Sequence, residues 1–458
     1  MGLRGPLLFW LFLFSWSSDL SGQVLIGEVD AFGELPDALG EGEDWIELWN
    51  AGQETASLQG MYLSDDADSW EKWALPDIDL LPDERLVIFA SGRDVGSVHH
   101  WSCPVMDADP WRYVVPAGSF ASDWRQPDYD DSDWPLAAGG FGYGDGDDGT
   151  VLPDADVVFL RRTWGVPNVE DVVHGMMAVD YDDGCVVYLN GRELFRSATM
   201  EGQSIGHDTY SNGLQEAQLY QGGVPEQRSF NPREWLVEGD NVLAVQVHNE
   251  NAGSSDLSIR PFLALAHEAP AEVPFTALPD WWAPDPPGLH ANFKLKPGEP
   301  VILSDGNAGL LDVISLPQEL RHGYTLGRSG TGAEGWCWFD EGTPGAPNNA
   351  DCLQGVLASP QVTPASGHFP GPPLVQVAPG TLSGPPGQEQ PAVVYRYMTN
   401  GAEPTVDSPV FTGDWNPGET IILSVKAFAD GWVPSATVDR TFSLRSHGLR
   451  QGTRHWNG

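Results

Sequence analysis

Apolar residues recur at every second position through most of this chain and almost nowhere at helical spacing, which restricts it to β-strands. The strand-like runs include Leu86-Val87-Ile88-Phe89 and Val242-Leu243-Ala244-Val245-Gln246-Val247. In a third, Ile421, Leu423, Val425 and Ala427 alternate with Ile422, Ser424 and Lys426. Between such runs lie Asn190-Gly191, Glu238-Gly239-Asp240 and Asn400-Gly401, residue pairs and triplets that accept the positive φ of hairpin turns. An all-β protein of sandwiches and jelly rolls is therefore expected. A length of 458 residues exceeds what one core organises, so two to four domains follow.

Hydrophobic residues make up 41% and charged residues only 19%, with 53 Gly and 38 Pro, a composition that is globular and turn-rich and not that of a disordered chain. The 65 acidic residues against 23 basic ones give a formal charge of −42, which excludes nucleic acid as a partner because phosphates demand a basic face. The same charge disfavours an anionic membrane surface. Calcium binding, salty surroundings that screen self-repulsion, or a plain soluble surface would each accommodate such acidity. Arg4 followed by the apolar stretch from Pro6 to Phe14 and then by Ser15, Ser17, Ser18 and Ser21 reads as a secretory signal peptide over residues 1–22. That stretch is too short to cross a bilayer, and no later one is longer, so no membrane insertion is expected.

Four cysteines allow three pairings. Cys185 lies in the apolar run Cys185-Val186-Val187-Tyr188-Leu189 and is expected as a buried free thiol. Cys337 and Cys352 flank one turn-rich segment and form the preferred disulfide, with Cys103 to either of them as the rival.

Four segments in order, Val24–Val29, Asp44-Trp45-Ile46-Glu47-Leu48-Trp49-Asn50, Met61–Asp66 and Leu86–Arg93, resemble the lamin tail domain, an immunoglobulin-like sandwich found in nuclear lamins and many exported bacterial proteins. Within them Ile46 and Leu48 are expected to face the core, and Glu47 and Asn50 to sit where a strand enters its turn. The second half of that pattern returns only at His290–Glu299, Val301–Asp305, Gly327-Arg328 and Thr343-Pro344-Gly345-Ala346-Pro347-Asn348. One sandwich built from residues 23–107 and 267–353 is therefore expected, with a domain of residues 108–266 inserted at a loop tip.

The insert carries Trp111-Arg112-Tyr113, Trp124, Asp133-Trp134, Gly140–Asp145, Asp182-Asp183-Gly184, Val187-Tyr188-Leu189-Asn190-Gly191, Gly239–Val245 and Ser254-Ser255-Asp256-Leu257. This resembles a galactose-binding-like jelly roll, similar to the sugar-binding domains attached to glycoside hydrolases. Residues 354–445, with Val393–Gly401, Glu403-Pro404-Thr405 and Ser408–Phe411, resemble the fibronectin-like C-terminal sandwich of chitobiase and β-hexosaminidase, which carries no catalytic residues. Residues 446–458 have no strand pattern and are expected as a frayed tail. Bacterial chains of this order often continue into a CotH-type kinase-like domain, for which no residues remain here.

Asp145, Asp147 and Asp148 in Gly144-Asp145-Gly146-Asp147-Asp148-Gly149-Thr150 could gather round a structural calcium, which takes 6–8 oxygens, or form a plain Asp/Gly turn. The galactose-binding-like resemblance, whose members frequently hold a structural calcium, adds weight to the ion, with the plain turn remaining slightly ahead of it. Asp182 and Asp183 invite comparison with the carboxylate pair of glycoside hydrolysis, but neighbours on one strand end point opposite ways and fit a hairpin turn better. Trp111, Trp124 and Trp134 sit inside fold motifs and are expected in the core, whereas Trp281-Trp282 cannot both face one core from an extended strand. One of that pair should lie exposed as a ligand platform or against the insert.

No nucleophile elbow, His-Glu-x-x-His, phosphate loop or dinucleotide fingerprint occurs, and the 11 histidines are scattered. The expected function is non-catalytic extracellular adhesion or binding, with the jelly roll recognising glycan or another cell-surface component. A structural spacer, the truncated N-terminal part of a CotH-type protein, and a carbohydrate-active hydrolase are the alternatives.

Overall fold

The computed structural model describes residues 24–444 apart from 121, 145, 147, 272–273, 308, 330–334, 349–350 and 381–390. The all-β expectation is met: among the described residues the only α-helix is the single turn Pro232–Trp235, opened by Pro232 and capped by the Asn231 side chain. No helix among them is long and apolar enough to cross a membrane.

The chain divides into two compact units. The first takes Asp44–Ile88 together with the described parts of residues 1–34 and 294–458. In one of its sheets the strands run Arg85–Phe89, Gly42–Asn50, Val24–Pro36, Thr325–Arg328 and Trp336–Phe339. The N-terminal and later stretches meet there, Glu28 opposite Gly327 and Val29 opposite Leu326. They meet again where Pro300–Asp305 pairs with Met61–Ser64, Leu303 opposite Leu63. Burying both faces of the Gly42–Asn50 strand requires its polar side chains to find partners inside. Ile46 and Leu48 are fully buried, as their alternation implies.

Glu47 departs from its expected turn position, because it is 1% exposed within the strand. Its carboxyl accepts a hydrogen bond from Gly345 N at 2.9 Å and lies 3.2 Å from Arg85 Nε. Burial pushes its pKa up to about 8, against the opposing pull of the Gly345 amide and of Arg85. Glu28 holds the same later segment by accepting from Thr343 N and Thr343 Oγ1, each at 3.1 Å, and from the Thr325 hydroxyl. Asn50 does sit at a turn, its amide donating to the carbonyls of Glu54 and Leu80.

Also within this unit, the four strands Gly367–Phe369, Val438–Leu444, Ile421–Phe428 and Val394–Met398 share a sheet. They build a separate core on Val362, Val375, Leu423, Val425 and Phe442. Cys337 and Cys352 are disulfide-bonded, and Cys103 and Cys185 are free and buried.

The second unit consists of residues Leu35–Glu43 and Phe89–Phe293, a wider span than 108–266. The reason is that strand His100–Val105 belongs to its sheet, pairing with Leu257–His267. One sheet runs Leu136–Ala138, Pro110–Val114, Val157–Val166, Gly239–His248, Gly184–Leu189 and Arg192–Arg196. The other contains Phe141–Tyr143, Leu257–His267, Val172–Tyr181 and Glu226–Phe230. Alternate residues of both supply one core: Trp111, Leu160, Val187 and Val245 from the first, Phe141, Met177, Ile259 and Leu263 from the second.

The outward face of the first sheet is also buried, by Trp124 and Trp134 over Phe159, Val186 and Tyr188. Arg161, 2% exposed, fastens that aromatic cover by donating to the carbonyls of Trp124 and Gln126 and to Asp131. Asn190 and Gly191 take φ of 50° and 80° between Gly184–Leu189 and Arg192–Arg196, the geometry a two-residue hairpin turn needs.

Trp281 and Trp282 stack at 5.3 Å and pack with Phe262, Ala178 and Cys103 on the outer face of the second sheet. Of the two placements expected, exposure or contact with the insert, both rings take the second, lying against Ala178 and Phe262. The chain turns there, Trp282 N donating to Pro279 O, so the period-two rule for an extended strand does not apply. Trp282 is 3% exposed and its indole donates to Gln227, so it is a packing residue and not an open platform.

Candidate functional site

One end of the second unit is covered by the segment of residues 197–223, and buried carboxylates hold that segment in place. Asp180, at the end of strand Val172–Tyr181, accepts from the backbone of Gln218 at 2.6 Å and Leu219 at 3.0 Å. Asp183 adopts φ of 35°, its carboxylate accepts from Glu250 N at 2.7 Å, its N–H donates to the Gln215 carbonyl and its own carbonyl accepts from Thr199 Oγ1. His248, fully buried, makes a 2.7 Å bond with the Thr209 carbonyl, and burial pushes its pKa down to about 4. Asp182 Oδ1 accepts from Asp183 N at 2.8 Å. Asp182 and Asp183 therefore organise backbone at a turn and do not face each other across a cleft.

Asp182 has a second role. Its carboxyl, that of Glu216 in the covering segment and that of Asp256 before strand Leu257–His267 lie within 4.8 Å of one another, a set that could hold a metal ion. Burial first, and then the neighbouring carboxylates of Asp183, Asp256 and Glu216, raise the Asp182 pKa to about 7. A cation there would replace mutual repulsion by shared attraction and lower that pKa.

The loop expected to bind metal is another one. Asp145 and Asp147 lie outside the described residues, and Asp148 sits against Gly142, where any side chain would collide with its carboxylate. Among the described residues Asp148 is not one of the carboxylates brought together. The sequence offered no sign of Glu216, which stands in a loop without periodicity.

The same segment forms one wall of a cleft of about 510 Å³, which residues 115–118 and Ala252 also line. A further wall is the lead-in to strand Val157–Val166, where Ala155 is buried and its neighbours Asp154 and Asp156 turn outward. Tyr210, 36% exposed, donates its hydroxyl to Asp156 Oδ2 at 2.9 Å. That bond is the main cause of its raised pKa, so the phenol stays a donor. His207 and Asp208 complete the wall, Nδ1 and Oδ1 being 3.8 Å apart. The volume lies within the range of small-molecule sites, and an aromatic face with a few polar groups is what sugar recognition uses.

Another cluster draws notice through its connectivity. Ser102 Oγ lies 2.8 Å from His267 Nε2, and His267 Nδ1 lies 2.9 Å from Asp171 Oδ2. Asp171 Oδ1 accepts from Ala269 N, and His100 stacks on His267 at 4.6 Å. The order is that of a serine–histidine–aspartate relay, but Ser102 is held in a strand ladder opposite Leu265 and not on an exposed turn. The arrangement ties the first strand of the sheet to its last and to the loop at Asp171. Ser102→Ala is expected to lower stability by about 1 kcal/mol, read from the midpoint of urea unfolding.

No family model matches the chain, and no curated protein matches it. Solved structures that resemble it include a beta-glucuronidase from an uncultured Clostridium sp., 11% identical over 77% of this chain and 46% of that one, TM-score 0.25. Another is a beta-glucuronidase from glycoside hydrolase family 2, 10% identical over 76% and 31%, TM-score 0.25. A third, Faecalibacterium prausnitzii beta-glucuronidase, is 13% identical over 76% and 47%, TM-score 0.22. This chain spans less than half the length of each, and likeness at this level assigns it neither substrate nor catalytic residue.

Proposed function

We propose that the chain is an extracellular, non-catalytic binding protein that takes a glycan, free or on a cell surface, into the cleft lined by Tyr210, Asp154 and Asp156. The observation that carries this reading is the cleft itself, a concave site of about 510 Å³ pairing an exposed aromatic ring with several hydrogen-bonding side chains. The second unit is assigned as a galactose-binding-like jelly roll and the first as a lamin-tail-like sandwich followed by a chitobiase C-terminal-like one, both serving as scaffold. Asp182, Glu216 and Asp256 hold calcium in this reading, because an all-oxygen, carboxylate-rich donor set suits a hard cation. The ion's role is structural: Glu216 belongs to the segment that supplies His207, Asp208 and Tyr210 to the cleft wall.

Retention on an immobilised polysaccharide array, with millimolar calcium present, tests the reading. The protein should be retained on at least one glycan, and Tyr210→Ala should weaken that retention about tenfold through loss of the stacking face. Absence of retention on every glycan would favour a spacer.

A further inference from the structure

We infer that the ligand of this cleft carries a primary amine, as in a glucosamine-containing saccharide, and not the carboxylate or sulfate of an acidic glycan. The inference rests on the glycan reading above and adds the ligand's charge class.

Three of the lining side chains, Asp154, Asp156 and Asp208, are carboxylates, and they stand on both walls. Among the described residues that line the cleft there is no Lys or Arg, and His207 is drawn toward Asp208. A carboxylate only accepts hydrogen bonds, with about four acceptor positions, and the bond from Tyr210 occupies one position on Asp156. The site thus offers acceptors and asks its ligand for donors. A sugar ammonium brings three donors and the complementary charge, whereas a hydroxyl brings one donor and no charge. A uronate or sulfate would bring only acceptors, placed against like charge in a chain whose formal charge is −42. The Tyr210 ring meanwhile offers the flat face on which the apolar side of a pyranose rests.

Titration calorimetry of the full chain with a glucosamine tetramer, its N-acetylated counterpart and a galacturonate tetramer tests this. The amine tetramer is expected to bind about tenfold more tightly than the acetylated one, the increment of one charge-assisted hydrogen bond. Galacturonate is expected not to bind. The double variant Asp156→Asn, Asp208→Asn should remove the roughly tenfold preference for the amine tetramer over the acetylated one, whatever it does to binding of both, with Asn keeping an acceptor for Tyr210. Equal affinity for the amine and acetylated tetramers, or tightest binding of galacturonate, would overturn the inference and leave the glycan reading standing. No binding of any tetramer, joined to an empty polysaccharide array, would remove both.

Discussion

Glu47→Ala should cost about 2–4 kcal/mol of stability, the loss expected when a buried carboxyl is removed and the buried donors it satisfies are left without an acceptor. The substitution leaves the Gly345 N–H without its acceptor and deprives Arg85 Nε of its partner, Arg85 being 6% exposed at its side chain. Because Glu47 and Gly345 lie 298 residues apart in sequence, the loss is not a local one. It should release the Thr343–Asn348 segment from the strands of the N-terminal stretch. Glu47→Gln, which keeps an acceptor for Gly345, should recover part of it. Chemical unfolding followed by tryptophan fluorescence measures the difference, and a change under about 1 kcal/mol would show that the bond is not part of the core.

The second large effect concerns pH and calcium together. Asp182 has an ordinary pKa of 3.8 and a folded one of about 7, so between those values the native chain holds a proton that the unfolded chain has released. Without calcium, Asp182 should therefore make stability fall as pH rises from about 4 to about 7, by something on the order of 4 kcal/mol, and Glu47, with a pKa raised to about 8, should carry the fall further. In the reading proposed above calcium would replace the proton: at a hundred times its dissociation constant it should restore about 2.7 kcal/mol, or several degrees in the melting midpoint. Asp182→Asn should remove its own share of the pH dependence, leaving that of Glu47, and abolish the calcium shift. Melting curves with calcium and with chelator, recorded at pH 5 and pH 8, measure both, and the same midpoint with calcium and with chelator at pH 8 would remove the ion from the account.

Strands were legible because their signal is local. Val242–Val247 falls inside Gly239–His248 and Ile421–Ala427 inside Ile421–Phe428, and Asn190-Gly191 marks its own hairpin. The pairing of Val24–Pro36 with Thr325–Arg328 follows the interrupted order of segments, since a sandwich half without its complement would leave strand edges open. Glu47 misled because a charged residue between two core positions normally faces water. Here a segment from the far end of the chain covers it.

The site was hardest to read for the same reason. Asp156 and Tyr210 are 54 residues apart, and Asp182, Glu216 and Asp256 come from three separate loops. None of these carries a spacing that announces its partner. Trp281 and Trp282 were legible only in part: contact with the insert was one of the two expected placements, but a turn places both rings on one face where an extended strand would divide them.

Hydrogen–deuterium exchange of the full chain, with and without a millimolar mixture of neutral and amine-bearing oligosaccharides, tests most directly whether this cleft is the working site. The account predicts slower exchange confined to residues 153–157 and 205–211, with Tyr210→Ala cancelling it. Protection elsewhere on the chain, or none at all, would contradict it.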